Sequence, residues 1–254
     1  DTGWVQFYSE SAQESIDSVI QAFHIAESIG LPVMISHEAF YVSHAMEPVE
    51  VPSQALVDEY LPRYKATLKL DPQLGQSFGS PVDAVTYNRT RREMDAAINS
   101  TYDAFEKANN GWRELTGREY GIIEQYRTED ADVVVVTMGS MSGTVRDAVD
   151  SLRDRGQAVG LLKVRLFRPF PYQQLRDALA GVPCVIVLDR NFSPGMGGIL
   201  HQELKAALNG MEAMPKIHGL LAGVGGVNVV PEKIEELVSQ YTDAEPNIAS
   251  LWVE

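Results

Sequence analysis

The sequence predicts an α/β protein built around a mostly parallel sheet. Three observations predict it. Val133 to Met138 is an apolar, β-branched run without polar alternation, which fits a strand buried on both faces of a parallel sheet. Beyond the turn residues Gly139, Ser140, Ser142 and Gly143, the residues Val145, Ala148, Val149 and Leu152 recur at helical spacing, and Gly156 stands where that helix should end. A second apolar run, Val159 to Leu166, follows at once. Together they make one strand-helix-strand unit, whose crossover should be right-handed.

The remaining elements follow in chain order. Thr2 to Tyr8 is a short strand candidate. Ser11 and Glu14 have capping-box spacing, so a helix begins there, with Ile16, Val19, Ile20, Phe23 and Ala26 sharing one face and Gly30 ending it. Leu31 to Ile35 reads as a buried strand, with Pro32 near its start, where a missing N–H is tolerated. Ser36 to Glu47 is a polar loop carrying His37 and His44. It follows the end of a strand, the place where open α/β sheets take ligands. The two histidines lack the i, i+4 spacing of a zinc-binding helix, so no metal site is expected. Val51 to Pro81 is an extended connector with a short helical piece at Leu56 to Tyr60. Val82 to Asn110 reads as one long helix stopped near Gly111, carrying Arg89, Arg91 and Arg92 on a solvated face or a subunit contact. After the central unit come a break at Pro169 to Pro171, a short helix Gln173 to Leu179, a strand Val182 to Leu188 and a helix Ile199 to Leu208. A strand Ile217 to Ala222 and a helix from Pro231, at its favoured first position, to about Tyr241 complete it. Ile248 to Val253 is a last strand or a packed tail. The expected boundaries are residues 1–51 for a first unit, 52–111 for a connector with a long helix, and 112–254 for the alternating β/α unit.

Composition narrows the functions open to the chain. Its 254 residues carry a net charge of −14, which disfavours sequence-independent binding to nucleic acid. No stretch approaches the roughly 18 apolar residues of a membrane span. Cys184 is the single cysteine, so an internal disulfide is excluded, as is an iron-sulfur cluster held by this chain alone; a cytoplasmic setting is expected. The chain opens on Asp1-Thr2-Gly3-Trp4 rather than Met, which points to a piece of a longer polypeptide. Three glycine turns (139–143, 195–198 and 223–226) precede helices, yet none has the lysine of a phosphate loop or the G-x-G-x-x-G dinucleotide pattern. An independent nucleotide-binding protein is therefore disfavoured. Lys163, Arg165 and Arg168 close a strand, where they can meet an anion or another subunit, or pair with the chain's own acids.

Several motifs are more specific. Thr2-Gly3 with Glu10, Gln13-Glu14 and Ala22-Phe23-His24-Ile25-Ala26-Glu27 form one. Leu31-Pro32-Val33-Met34 with Phe40 and Ser43-His44 form a second. The strongest are Met138-Gly139-Ser140, Gly160-Leu161-Leu162-Lys163-Val164-Arg165-Leu166-Phe167-Arg168-Pro169-Phe170, and Val187-Leu188-Asp189-Arg190 with Pro194-Gly195. Ala213-Met214-Pro215-Lys216-Ile217 follows. The chain resembles the carboxyl-terminal two-thirds of the alpha subunit of pyruvate:ferredoxin oxidoreductase (pyruvate synthase). The resemblance implies the end of a thiamine-diphosphate-binding domain followed by a transketolase C-terminal-like, mostly parallel β/α domain. It implies an oxidoreductase that converts a 2-oxoacid, with pyruvate favoured, and coenzyme A to acyl-CoA and carbon dioxide, passing electrons to ferredoxin or flavodoxin. Thiamine diphosphate, magnesium and [4Fe-4S] clusters would be held mainly by beta, gamma and delta-type subunits or by the missing amino terminus, leaving this chain inactive alone. Phe40, Ser43 and His44 would lie near the thiamine or the substrate. Arg165, Arg168, Asp189 and Arg190 would make interface or anion contacts. The family's Asp-Gly-Phe is Glu38-Ala39-Phe40 in this chain. A non-catalytic assembly role is the alternative.

Overall fold

The computed structural model describes residues 2–66, 69–75 and 78–253. Strand β1 (Val5–Tyr8) is followed by helix α1 (Ala12–Ile29) and strand β2 (Val33–Ser36). A single π-turn, Ala39–Ser43, leads to helices α2 (Gln54–Tyr60), α3 (Ala84–Asn99) and α4 (Thr101–Thr116). Then come β3 (Ile123–Tyr126), β4 (Val133–Thr137), α5 (Met141–Asp154), β5 (Val159–Val164), β6 (Leu166–Arg168) and α6 (Tyr172–Ala178). The chain ends through β7 (Cys184–Asp189), the hairpin β8 (Phe192–Ser193) and β9 (Gly197–Gly198), α7 (Ile199–Leu208), β10 (Lys216–Leu221), α8 (Pro231–Tyr241) and β11 (Leu251–Trp252).

The larger sheet has the order β11-β10-β7-β4-β5-β3, with only β3 antiparallel to its neighbour. Why β4 shows no alternation is now plain. Val134 and Val136 face one core with Leu162, Val185, Val187 and the α7 residues Leu200 and Leu204. Val133 and Val135 face the other, with Val145 and Val149 of α5 and Ile234 and Leu237 of α8. Both faces are covered, so Val133 through Val136 are all apolar, and the buried Thr137 at the strand end donates its hydroxyl to Leu188 O at 2.9 Å. A smaller sheet, β2-β1-β6, packs on α1 and α4 through Val5, Phe7, Ile25, Phe105 and Leu166. No helix among the described residues is long and apolar enough to cross a membrane.

Several expectations need correcting. The run Val159 to Leu166 is not one strand. It breaks at Arg165, and Leu166–Arg168 leaves the large sheet to pair antiparallel with β1. The long helix over 82–110 is two helices meeting at Ser100, and Gly111 lies inside α4, which ends at the left-handed Gly117 instead. Only α4 buries apolar residues, while α3 buries none. Strand β3, too polar to stand out, was not expected. The face expected for α1 is also reversed: Val19 and Phe23 are exposed, while Glu14, Asp17, Ser18, Gln21, Ala22 and Ile25 are buried. The reason is electrostatic. Lys163 and Arg165 reach Glu14, and Arg118 reaches Asp17, so the polar stripe is drawn inward.

Candidate functional site

The strand order places a ligand crevice before any side chain is considered. From β4 the chain moves outward to β5, whereas from β7 it moves outward in the opposite direction to β10. The loops leaving the carboxyl ends of β4 and β7 therefore diverge, and in doubly wound sheets ligands sit in the crevice that opens there. A cavity of about 70 Å³ lies at this point, lined by Tyr8, Glu38, Met138, Leu188, Asp189, Arg190 and Asn191. The π-turn from the other sheet lies beside it.

The turn is held by its own backbone and by the loops beneath. Ser43 N donates to Glu38 O at 3.0 Å and His44 N to Ala39 O at 2.8 Å, the i→i−5 pattern that recurs at functional sites. Below it, Glu38 accepts hydrogen bonds from Ser140 Oγ and from Arg190 Nη1. Arg190 also lies 4.7 Å over the ring of Tyr41, whose hydroxyl donates to Asn228 Oδ1 at 3.2 Å. Burial pushes the Glu38 carboxyl above its usual range, against the pull of Arg190. Two glycines admit this contact. Gly139 has φ +65°, and a Cβ there would lie 2.8 Å from Glu38 Oε1. Gly226 has φ +88°, and its Cβ would lie 2.7 Å from the Phe40 ring. Neither position accepts a side chain without movement.

The residues nominated from sequence fall into two groups. Phe40, Ser43 and His44 are together on the exposed π-turn. The Phe40 and His44 rings meet edge to face at 5.7 Å. The Ser43 hydroxyl donates to Ala39 O at 3.2 Å, which leaves its oxygen as an acceptor. On their far side a groove of about 410 Å³ runs between the start of α1 and the turn, past His37, Ser43 and Met46. Arg190 is in the crevice, joined to Glu38. Arg165 and Asp189 are internal and not in a position to serve as expected, whereas Arg168 keeps part of its side chain at the surface. Arg165 is 1% exposed, bonded to Glu14 at 2.7 Å and stacked among Phe7, Phe105 and Tyr120, so it is an internal group rather than an interface or anion contact. Asp189 is buried as well. It accepts backbone hydrogen bonds from Asn191 and Leu200, capping α7, and burial pushes its carboxyl up to about 6. Arg168 is half-buried and spent on Glu203 at 2.5 Å. Sequence reasoning missed Glu38, Ser140 and Tyr41 as one cluster. Glu38 and Tyr41 share one loop, but Ser140 lies 102 positions from Glu38, and only the fold brings them together.

Among the described residues no three His, Cys, Asp or Glu side chains gather as a metal site. Cys184 is buried in β7, and burial pushes its thiol up to about 11. With a single, buried cysteine, the residues present do not fit an iron-sulfur cluster.

Comparison with known proteins agrees with this architecture. Residues 1–112 match the family model for the thiamine-diphosphate-binding part of pyruvate flavodoxin/ferredoxin oxidoreductase. Residues 131–234 match that for pyruvate:ferredoxin oxidoreductase core domain II. The chain is 39% identical over 255 aligned positions to pyruvate synthase subunit PorA of Methanothermobacter thermautotrophicus, covering 100% of this chain and 65% of the relative. It is 40% identical over 231 positions to ketoisovalerate oxidoreductase subunit VorA of Pyrococcus abyssi, covering 89% of this chain and 58% of the relative. The chain thus spans less than two-thirds of the length of these curated relatives. Among solved structures, 2-oxoglutarate:ferredoxin oxidoreductase from Magnetococcus marinus, with 2-oxoglutarate, coenzyme A and succinyl-CoA bound, superposes with a TM-score of 0.61. The identity is 17%, over 94% of this chain and 42% of that one, so this likeness concerns the fold alone. With the two family models in the expected order and the switch-point crevice between them, the chain belongs to the pyruvate:ferredoxin oxidoreductase family.

Proposed function

We propose that this chain is the alpha-type component of a thiamine-diphosphate-dependent 2-oxoacid:ferredoxin oxidoreductase that converts pyruvate and coenzyme A to acetyl-CoA and carbon dioxide. The observation that carries this reading is the 39% identity to a pyruvate synthase subunit over the whole chain. Electrons would leave to ferredoxin or flavodoxin, in the cytoplasm, through clusters on partner subunits of beta, gamma and delta type. Residues 1–51 would be the end of the cofactor-binding domain, 52–111 the connector and 112–254 the transketolase C-terminal-like domain. Magnesium and the clusters would be held by the rest of the assembly, and the single cysteine of this chain supports that for the clusters.

Thiamine diphosphate, when bound, supplies the carbanion chemistry of decarboxylation and the route by which electrons leave the substrate. This chain's own contribution is positional. The Phe40 and His44 rings would wall one side of the reacting ring once it is bound, and Ser43 Oγ would offer an acceptor beside it. Arg190 and Ser140, through Glu38, fix the height of that wall. Positioning of this kind is worth much of a catalytic barrier when it holds groups to within an ångström.

The 40% identity to a ketoisovalerate oxidoreductase subunit favours a second reading, with a branched 2-oxoacid as the substrate. Anaerobic assay of the purified complex decides between them, with pyruvate, 2-oxoisovalerate and 2-oxoglutarate each offered with coenzyme A and a viologen acceptor. The expected result is acetyl-CoA formation with the highest kcat/KM for pyruvate. A higher value for 2-oxoisovalerate would replace the substrate. No viologen reduction with any of the three would overturn the enzymatic reading and leave an assembly role.

A further inference from the structure

Glu38 is a tethered carboxylate seated in someone else's pocket. The receiving groups, Ser140 and Arg190, belong to the loops that leave β4 and β7 at the switch point of the large sheet. The carboxylate arrives on the loop after β2, from the other sheet. Ser140 Oγ and Arg190 Nη1 stand 3.0 Å apart and both donate to the same oxygen, Glu38 Oε2. Arg190 Nε is buried, without a hydrogen-bond partner, and lies beside Gly223, whereas Glu38 is held through Nη1. A guanidinium binds an oxyanion best with two parallel N–H groups, and Glu38 engages one. The adjoining cavity of about 70 Å³ is room for roughly two waters at ~30 Å³ each. With the space vacated by the Glu38 carboxylate, it has room for one oxyanion group. The groups facing Glu38 are Arg190 and Ser140, with Tyr8, Met138, Asp189 and Asn191 around the cavity. Asp189 is already committed to three backbone N–H groups.

We propose that Ser140 and Arg190 form a subsite for a single oxyanion group of a ligand, and that Glu38 is an internal plug which the incoming anion displaces. Displacement frees the π-turn that carries Phe40, Ser43 and His44, so filling this crevice and moving that wall become one event. The chemistry recognised is a carboxylate or a monophosphate, and the arms of the test distinguish them. The subsite rests on the geometry alone and stands even where the enzyme's 2-oxoacid proves to be a different one.

The test uses the full chain in its assembled complex, with inorganic phosphate and pyruvate as separate probes. Glu38→Gln keeps the shape but removes the competing charge. It should tighten binding of one probe at least tenfold by calorimetry, and Arg190→Met in the Glu38→Gln background should abolish the gain. Tightening for phosphate assigns a phosphate group, and tightening for pyruvate a carboxylate. A second measurement needs no variant: amide exchange across residues 39–44 of the wild type should rise at least threefold when the same probe replaces chloride at equal ionic strength. Affinities within twofold of wild type in Glu38→Gln, a gain that persists in the Arg190→Met background, or exchange unchanged by both probes would each overturn the proposal.

Discussion

Replacing Glu14 by Gln tests whether the two sheets are joined by buried charge. Glu14 is 2% exposed and Arg165 1%. Glu14 Oε1 accepts from Arg165 Nε at 2.7 Å, and Oε2 accepts from Lys163 Nζ at 2.9 Å and from the Glu10 N–H at 3.0 Å. Burial works against the Lys163 ammonium, yet Glu14 and Glu10 hold its pKa above the ordinary value. The amide leaves the two cations in different positions. Lys163 keeps Glu10 at 2.7 Å and Glu124 at 3.3 Å. Arg165 keeps only neutral partners: Ser18 at 2.7 Å, Gln21 at 2.9 Å and Tyr120 O at 3.3 Å. Removing one partner of a buried pair costs about 3–5 kcal/mol. The neutral donors and the three rings around Arg165 put the expected loss near the lower end, about 3 kcal/mol. Glu124 is the internal control. Its side chain is 45% exposed, so Glu124→Gln should cost about 0–1 kcal/mol. Urea unfolding followed by circular dichroism measures both. In the double variant Glu14→Gln with Arg165→Met, the costs should fall short of their sum by at least about 1 kcal/mol. Equal losses for Glu14→Gln and Glu124→Gln, or strict additivity in the double variant, would refute the joint.

Four further outcomes are expected. Gly139→Ala and Gly226→Ala each add about 1–2 kcal/mol of left-handed backbone strain to a side-chain collision, so both should lower stability and raise exchange across 39–44, whereas Gly210→Ala, with open space around it, should show the strain alone. His44→Ala in the assembled enzyme should lower kcat by tenfold or more with the clusters intact; an unchanged rate would remove the π-turn from the reacting centre. His201, which burial pushes down to about 4, stays neutral in the fold, so its contribution to stability is full above about pH 6.5 and is lost as pH falls toward 4. Asp189, pushed up to about 6, has the opposite sign: the folded state holds its proton between about pH 4 and 6, so stability from this group falls as pH rises through that window. Stability-against-pH curves of His201→Phe and Asp189→Asn should therefore diverge from wild type in opposite directions between pH 4 and 6, and parallel curves would contradict both assignments.

How much of this was legible in the sequence depends on the distance over which each feature is decided. Strand β4 was readable because Val133 to Val136 are apolar toward both faces, a property of four consecutive residues. Helix α1 was readable as a helix from its cap, where Ser11 accepts from the Glu14 N–H, and from its left-handed Gly30. Its orientation was not. Helical periodicity reports which residues share a face, and burial then depends on what faces them. The cations that draw Glu14 and Asp17 inward lie 101 to 151 positions along the chain. The same reach left Arg165 open between an outside anion and the chain's own acids, and Glu14 proves to be its partner. A basic residue at the carboxyl end of a strand invites an anion from outside, and nothing local reveals that an acid of the same chain already occupies the place.

The crevice follows the same logic one step further. The loop 40–44 was nominated from the end of its strand, and Arg190 separately, from the family resemblance. What joins them is Glu38, noticed only as a departure from the Asp-Gly-Phe of the resembling family. Glutamate is longer than aspartate by one carbon–carbon bond, about 1.5 Å. From the loop after β2, that added reach carries the carboxylate toward Ser140 and Arg190, across the gap left open by Gly139. The departure and the glycine therefore belong to one arrangement: the first supplies the reach and the second clears the path. Neither has meaning without the β7-β4 adjacency, which no stretch of the sequence encodes by itself.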